Sequence, residues 1–459
     1  MSTMLDRTSP PEPGELRPFR LPEVHRHDLD NGLTLITVQT GSIPVVTAAL
    51  IVEGGAAGEP ASRAGIAHLT ARALDTGTTR RTGDQLALDL EHLGVEFRAS
   101  VTWDAAVLNL TVPRERLEAA LALLAEIARE PAFPPSEVER LRDQQLAEIL
   151  QRRTEPRSLA GEAAARFIFA PDVPYSRPLN GTHATVSPLS HEDAREFYQA
   201  HYGTKPAALV LVGDIDPDTA RSLGESYFGT WRATAVPAPD FEVRAGYEGT
   251  TIFLVDRPGS VQSEVRMGHV GVERTHPDYF PLIVMNTILG GAFTSRLNMT
   301  LRERLGFTYG VSSRFGYRRR PGPFLIQTAV ATDVTARTVE ETIRQIEGLQ
   351  ADGPTAEEVD SARDFLSGIL PLQFQTTEQV AGKIADLFVY GLPDDYFHRY
   401  RERIAAVTAE DVRRAAVQYV RPADMAIVVV GDAAQVEGPL EELGAGPVRK
   451  YGSDLMPCT

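Results

Sequence analysis

The clearest periodicity lies between Arg114 and Arg129, where apolar side chains recur at 117, 121, 124 and 127–128, the spacing of one helix face. Around it the chain alternates between short strand patterns and helices. Asp28-Leu29-Asp30-Asn31-Gly32 reads as a turn, with strands over 33–39 and 45–53 after it. A short alanine- and leucine-rich helix follows Gly65, and another spans 84–93 before Gly94. Residues 95–100 and 106–112 read as paired strands. Pro134-Pro135-Ser136 opens a helix running to about Arg152, with Ser136 expected as its cap. Further helices are predicted over 158–169 and 190–201, and a buried strand over 208–212.

The pattern then repeats. Val210-Leu211-Val212-Gly213-Asp214 returns 218 residues later as Val428-Val429-Val430-Gly431-Asp432. Glu148-Ile149-Leu150 corresponds to Gly368-Ile369-Leu370, Pro135 to Pro354, and Leu93-Gly94 to Leu305-Gly306. Several matches in the same order, with a slowly drifting offset, are what a duplicated domain with small loop changes produces. Each half mixes hairpin-like strands with runs of helices, so the expected class is α+β: two duplicated domains, each with a largely antiparallel sheet. The expected boundaries are a disordered arm over 1–23, a first domain over 24–231, a linker over 232–249, a second domain over 250–440 and a tail over 441–459.

The chain has 459 residues, 42% hydrophobic and 24% charged, which fits a globular protein of more than one domain. Its net charge of −16 argues against a nucleic-acid backbone or an anionic membrane as partner and is compatible with a mildly basic peptide. The single cysteine, Cys458, excludes a disulfide within the chain. The polar, proline-rich first twenty residues have no apolar core of signal-peptide length, and no run approaches the roughly 18 apolar residues of a membrane span. A cytoplasmic location is the expectation.

The helix after Gly65 carries the most specific chemistry. Positions 68, 71 and 72 share one face, the face on which a metallopeptidase helix carries two histidines and a catalytic glutamate. Here they are His68, Ala71 and Arg72. With its preceding glycine, His68 and Gly77-Thr78, the stretch resembles the metal helix of the pitrilysin and mitochondrial-processing-peptidase family, whose inverted motif reads His-x-x-Glu-His. It departs from that motif at Ala71, the glutamate position, and at Arg72, the second histidine position. The family's third ligand, a glutamate well downstream, falls on Glu148. The resemblance, from about Val24 to Val436, implies two related α+β domains facing each other across a cleft, one half of a clamshell-like dimer. Without the base and the second histidine no metal is expected in this chain. His68 is expected as a packed remnant bonded to Glu148. His25, His27, His183, His191 and His201 form no ligand pattern and read as surface or capping residues.

In the second half, Leu289-Gly290-Gly291-Ala292-Phe293 leads into Leu301-Arg302-Glu303-Arg304-Leu305-Gly306-Phe307-Thr308-Tyr309. The expected local form is a glycine loop, a helix capped by Gly306, and a strand from about Tyr309. It resembles the family's second-domain signature, in which an arginine and a tyrosine seven residues apart reach across the cleft. The resemblance makes Arg302 and Tyr309 catalytic candidates acting on a partner's substrate, and Gly290, Gly291 and Phe293 substrate-binding candidates. An arginine can hold a substrate carbonyl or carboxylate, and a tyrosine hydroxyl can donate to a developing oxyanion. Some members of the family work as pairs, one chain holding the metal and the other this arginine and tyrosine. The expectation is a non-catalytic subunit of a heterodimeric zinc peptidase, with zinc in the partner subunit and a peptide as substrate. The alternative is an inactive scaffold or peptide-binding protein, as a homodimer or a core-protein-like subunit.

Overall fold

A computed structural model describes residue 14 and residues 19–41, 43–236 and 238–458. The twelve strands are β1 (Val24–Asp28), β2 (Thr34–Gln39), β3 (Val45–Val52), β4 (Arg98–Val101), β5 (Ala106–Pro113), β6 (Ala207–Gly213), β7 (Thr251–Asp256), β8 (Gln262–Val270), β9 (Val311–Phe315), β10 (Pro323–Ala331), β11 (Ala426–Gly431) and β12 (Val448–Tyr451). They form two six-stranded, mostly antiparallel sheets, ordered β1-β2-β6-β3-β5-β4 and β12-β7-β11-β8-β10-β9. Apart from the outer strands β1 and β12, the two orders are the same topology written twice. The repeated Val-Gly-Asp stretches are the ends of β6 and β11, each parallel to the first long strand of its half and antiparallel to the next. The fold class is the α+β duplication that the sequence predicts.

β6 and β11 are apolar without alternation because both of their faces are covered. Leu209 and Leu211 face the core of their own half. Val210 and Val212 pack instead with Val380, Ile384 and Leu387, from the Thr377–Val389 helix of the other half. The exchange is reciprocal. The Pro156–Ile168 helix of the first half lies on β8 and β11, where Leu159, Ala163 and Phe167 meet Phe253, Val428 and Val430. Phe167 stacks on Phe253 with ring centroids 4.3 Å apart.

Polar contacts fix the register of the exchange. Thr47 Oγ1 donates to Thr377 Oγ1 at 2.7 Å. Arg319 donates to buried Glu53 (2.6 Å), to the Val389 carbonyl (2.8 Å) and, through its backbone N–H, to Asp104 (3.2 Å). One residue thereby ties the end of β3, the β4–β5 turn and the end of the exchanged helix together.

Several local expectations shift. The long helix spans Pro135–Thr154 and is started by proline at its first position, with no side-chain cap, so Ser136 lies inside it. In place of an ordinary helix before Gly306 there is a π-helical turn over Asn298–Arg304, and β9 begins at Val311. His25 and His27 lie on β1, paired with β2. The stretch set aside as a tail contains β12, which pairs with β7. Most of the expected arm lies outside the described residues, but Leu21 is buried and Phe19 packs on Phe374, ring centroids 5.3 Å apart. No helix among the described residues is long and apolar enough to cross a membrane.

Because each half supplies a helix to the other's sheet, the halves are expected to unfold together. Phe167→Ala should cost about 3–5 kcal/mol, and hydrogen exchange should show β6 and β11 losing protection in one step. Loss confined to β11 and its neighbours would mean the halves are independent.

Candidate functional site

The predicted metal helix forms over Ile66–Ala73. It starts at Gly65, whose φ of +96° and closeness to the Asn180 carbonyl, 2.7 Å from where a Cβ would stand, admit only glycine. The buried N–H groups at the helix start, without helical partners, find Glu59, which accepts from Gly65 N (3.1 Å) and Ala67 N (2.7 Å). Burial pushes the Glu59 carboxyl up to about 7, against the pull of those two amides. Glu59 lies too far upstream for capping rules, so local pattern did not disclose it. From the Pro135–Thr154 helix, Gln145 donates to the Gly65 carbonyl (3.1 Å) and the Asn180 carbonyl (2.8 Å).

His68, Arg72 and Glu148 come together as the spacing required, but the bond differs from the one expected. Arg72 Nη1 donates to Glu148 Oε1 at 3.0 Å and Nη2 to Gln144 Oε1 at 3.3 Å. Glu148 is thus paired with Arg72 rather than with His68. Burial first, and the Arg72 charge second, hold the His68 imidazole down at about 4, with Glu148 opposing them. As a zinc site the arrangement does not fit. Zinc wants three protein ligands and tolerates no fixed cation among them, and here one carboxylate already serves a guanidinium. Among the described residues no group of three or more His, Cys, Asp or Glu could hold a metal ion.

A cavity of about 1120 Å³ opens beside Ala71 and Arg72, bounded by the outer strand β4. The second-half residues line a different cavity, of about 520 Å³. Gly290, Gly291, Phe293 and Tyr309 are brought together on its wall. Gly290 is required by packing, since a Cβ there would stand 2.5 Å from Ser313 Oγ. Tyr309 is 95% exposed, between two residues that hydrogen bonds hold in place. Thr308 Oγ1 donates to the Gly310 carbonyl (2.9 Å) and accepts from Gly310 N (3.1 Å), and Thr328 Oγ1 donates to Thr308 Oγ1 (2.9 Å). Arg302 does not line the cavity. Its guanidinium lies over the Phe293 ring, 4.0 Å from the centroid, and its Nε is 3.5 Å from Glu303.

Sequence reasoning missed Asn298. Its buried amide donates to the carbonyls of Ala292 (3.2 Å) and Val311 (2.8 Å) and accepts from Val311 N (3.2 Å). It fixes the glycine loop against the start of β9.

Two duplicated α+β halves, an inverted zinc motif lacking its base and second histidine, and a tyrosine exposed on the second half define a peptidase-like fold with an incomplete metal motif. Residues 34–170 match the profile of the insulinase family (peptidase family M16), and residues 188–366 match the peptidase M16 inactive domain. The chain belongs to the insulinase-like M16 family. An uncharacterized zinc protease of Rickettsia bellii is 26% identical over 362 residues, 78% of this chain and 85% of the relative. One from Mycobacterium leprae is 24% identical over 411 residues, 88% and 91%. The crystal structure of a peptidase M16 inactive domain from Pseudomonas fluorescens has a TM-score of 0.83 at 25% identity, covering 89% of this chain and 98% of that one. A Helicobacter pylori protease shares the fold, with a TM-score of 0.83 at 19% identity over 89% of this chain and all of that one. Likeness to the inactive-domain structure supports a non-catalytic M16-like subunit.

His68 stays neutral in the folded protein down to about pH 4, whereas the unfolded chain protonates it near its ordinary 6.5. Acidification between those values therefore favours unfolding. Arg72→Ala should raise the imidazole value part of the way, because burial, the larger cause, remains. An NMR titration reads this, and an unmoved value would remove Arg72 from the account.

Replacing Arg72 by histidine tests the incomplete motif directly. Arg72→His supplies a third ligand beside His68 and Glu148 and should confer about one zinc per chain on metal analysis. If the variant takes up no zinc, the helix geometry itself is no longer that of a metal site.

Proposed function

We propose that the chain is the non-catalytic subunit of a heterodimeric zinc metallopeptidase of the processing-peptidase type. A related partner subunit carries the zinc, and this chain closes the cleft around the partner's substrate peptide with Arg302 and Tyr309. The observation that carries the reading is Tyr309. A large side chain 95% exposed, between neighbours held by hydrogen bonds, supports a role toward something outside its own chain. Its hydroxyl would donate to the oxyanion that develops on the scissile carbonyl in the partner's active site, where the partner's zinc would supply the activation of water. Arg302 would hold the peptide by charged hydrogen bonds, and the cavity lined by Gly290, Gly291 and Phe293 would take the peptide backbone.

The scaffold reading is favoured by one observation: Arg302 lies on Phe293 and beside Glu303 instead of lining the cavity. Under that reading the chain, alone or as a homodimer, holds a peptide without assisting its cleavage.

Kinetics of the assembled pair separate the two. Arg302→Ala and Tyr309→Phe should each lower the partner's kcat while leaving the dimer and the partner's zinc intact. Loss of one oxyanion donor costs about 2.7–4 kcal/mol, roughly 100- to 1,000-fold in rate. Unchanged turnover in a fully assembled complex would make the scaffold the better description.

A further inference from the structure

The 520 Å³ cavity continues into a second chamber of about 390 Å³, with which it shares Arg157, Arg266 and Gln327. The chamber lies between the Pro156–Ile168 helix and the face of the second sheet. Strand register explains how arginines collect there. Arg266 on β8 stands opposite Gln327 on β10, Gln327 opposite Ser312 on β9, and the next residue on that face of β10, Leu325, opposite Arg314. Arg157, in the first turn of the exchanged helix, and Arg318, just beyond β9, complete the wall. Among the described residues, no Asp or Glu lines this chamber.

The four guanidinium groups are not equally provided for. Arg266 is buried and paired: it lies 2.8 Å from Glu264 and donates to the carbonyls of Val265 (3.0 Å), Thr328 (3.3 Å) and Arg157 (3.4 Å). Arg157 and Arg314, both exposed, make no ion pair with a carboxylate among the described residues. Arg318 is the unusual one. It lies over the Tyr175 ring (4.1 Å to the centroid) and the Trp103 ring (4.8 Å), and its buried Nη1 has no hydrogen-bond partner. Burial pulls its guanidinium down to about 10, against the opposing pull of Tyr175 and Asp104. A buried donor left unmatched is costly. In a chain of net charge −16, a chamber walled by four arginines is the reverse of the average surface.

The geometry points to a carboxylate-binding subsite at Arg157, Arg266, Arg314 and Arg318, which takes the anionic end or an acidic side chain of a peptide lying in the cavity beside Tyr309. Planar guanidinium groups match a carboxylate through paired hydrogen bonds. The aromatic walls of Trp103 and Tyr175 keep water from the Arg318 face, which strengthens the pairing. This inference deepens the proposed function by naming a peptide carboxylate, at a side chain or the chain end, as the group recognised, but it concerns binding by this chain alone.

The test uses the purified full chain, without a partner, in calorimetric titrations. The probes are four short peptides of one sequence, carrying a central Glu or Gln and a free or amidated C-terminus. At least one carboxylate-bearing peptide should bind about tenfold or more tightly than the Gln, amidated peptide, a difference of about 1.4 kcal/mol. If the Glu, amidated peptide gains, the ligand is an acidic side chain; if the Gln, free-acid peptide gains, it is the chain end. Arg318→Gln should abolish the preference. Arg314→Gln, at an exposed position, should weaken it even if the Arg318 variant fails to fold. Equal binding of all four peptides, no binding, or a preference that stays undiminished in either folded variant would overturn the proposal. A partner whose turnover ignores Arg302 and Tyr309 would leave this result standing, and failure here would leave the pairing open.

Discussion

The exchange of one helix between the two halves is the constraint on which the rest depends. A sheet whose central strand is apolar on both faces must be covered twice. Here the second cover comes from the other half: the Thr377–Val389 helix on β6 and the Pro156–Ile168 helix on β11. The halves are therefore fixed against each other by their own cores. Arg319, bound to Glu53, Asp104 and Val389, sets the alignment of that contact with charged hydrogen bonds in a partly dry site. The exchanged helix also brings Arg157 over the second sheet, so the arginine chamber follows from the same packing.

The helix at the metal-motif position is firmly anchored but carries neither the motif's base nor its second histidine. Glu59, Gln145 and Gly65 anchor it to the Pro135–Thr154 helix, and the positive charge facing Glu148 is a guanidinium. An ion pair between two helices supplies the attraction that a shared cation would supply, but it activates no water and leaves no open coordination position. His68 remains between them, kept neutral by burial and by the neighbouring cation.

Net charge describes the protein poorly at the scale of a site. The value of −16 suggests a basic ligand, whereas the chamber beneath the exchanged helix is walled by arginines. Local potential is set by which side chains share a cavity and by how dry that cavity is, not by the sum over the surface.

The sequence by itself determined the duplication, the α+β class and the loss of the metal motif, because each is written in short-range pattern. Strand endings repeat at a steady spacing, and helix neighbours three and four apart bring His68, Ala71 and Arg72 to one face. The family spacing brought Glu148 to this face across two predicted helices, but the expected partner was His68, and the structure pairs Glu148 with Arg72. What only the tertiary structure decided depends on contacts between distant segments. Periodicity marks an apolar face but not which half covers it, so the helix exchange was invisible. Glu59 and Asn298 look like ordinary polar residues until the backbone groups they satisfy are brought to them. Arg157, Arg266, Arg314 and Arg318 are scattered in sequence, and only strand register and the crossing helix bring their charges to one chamber.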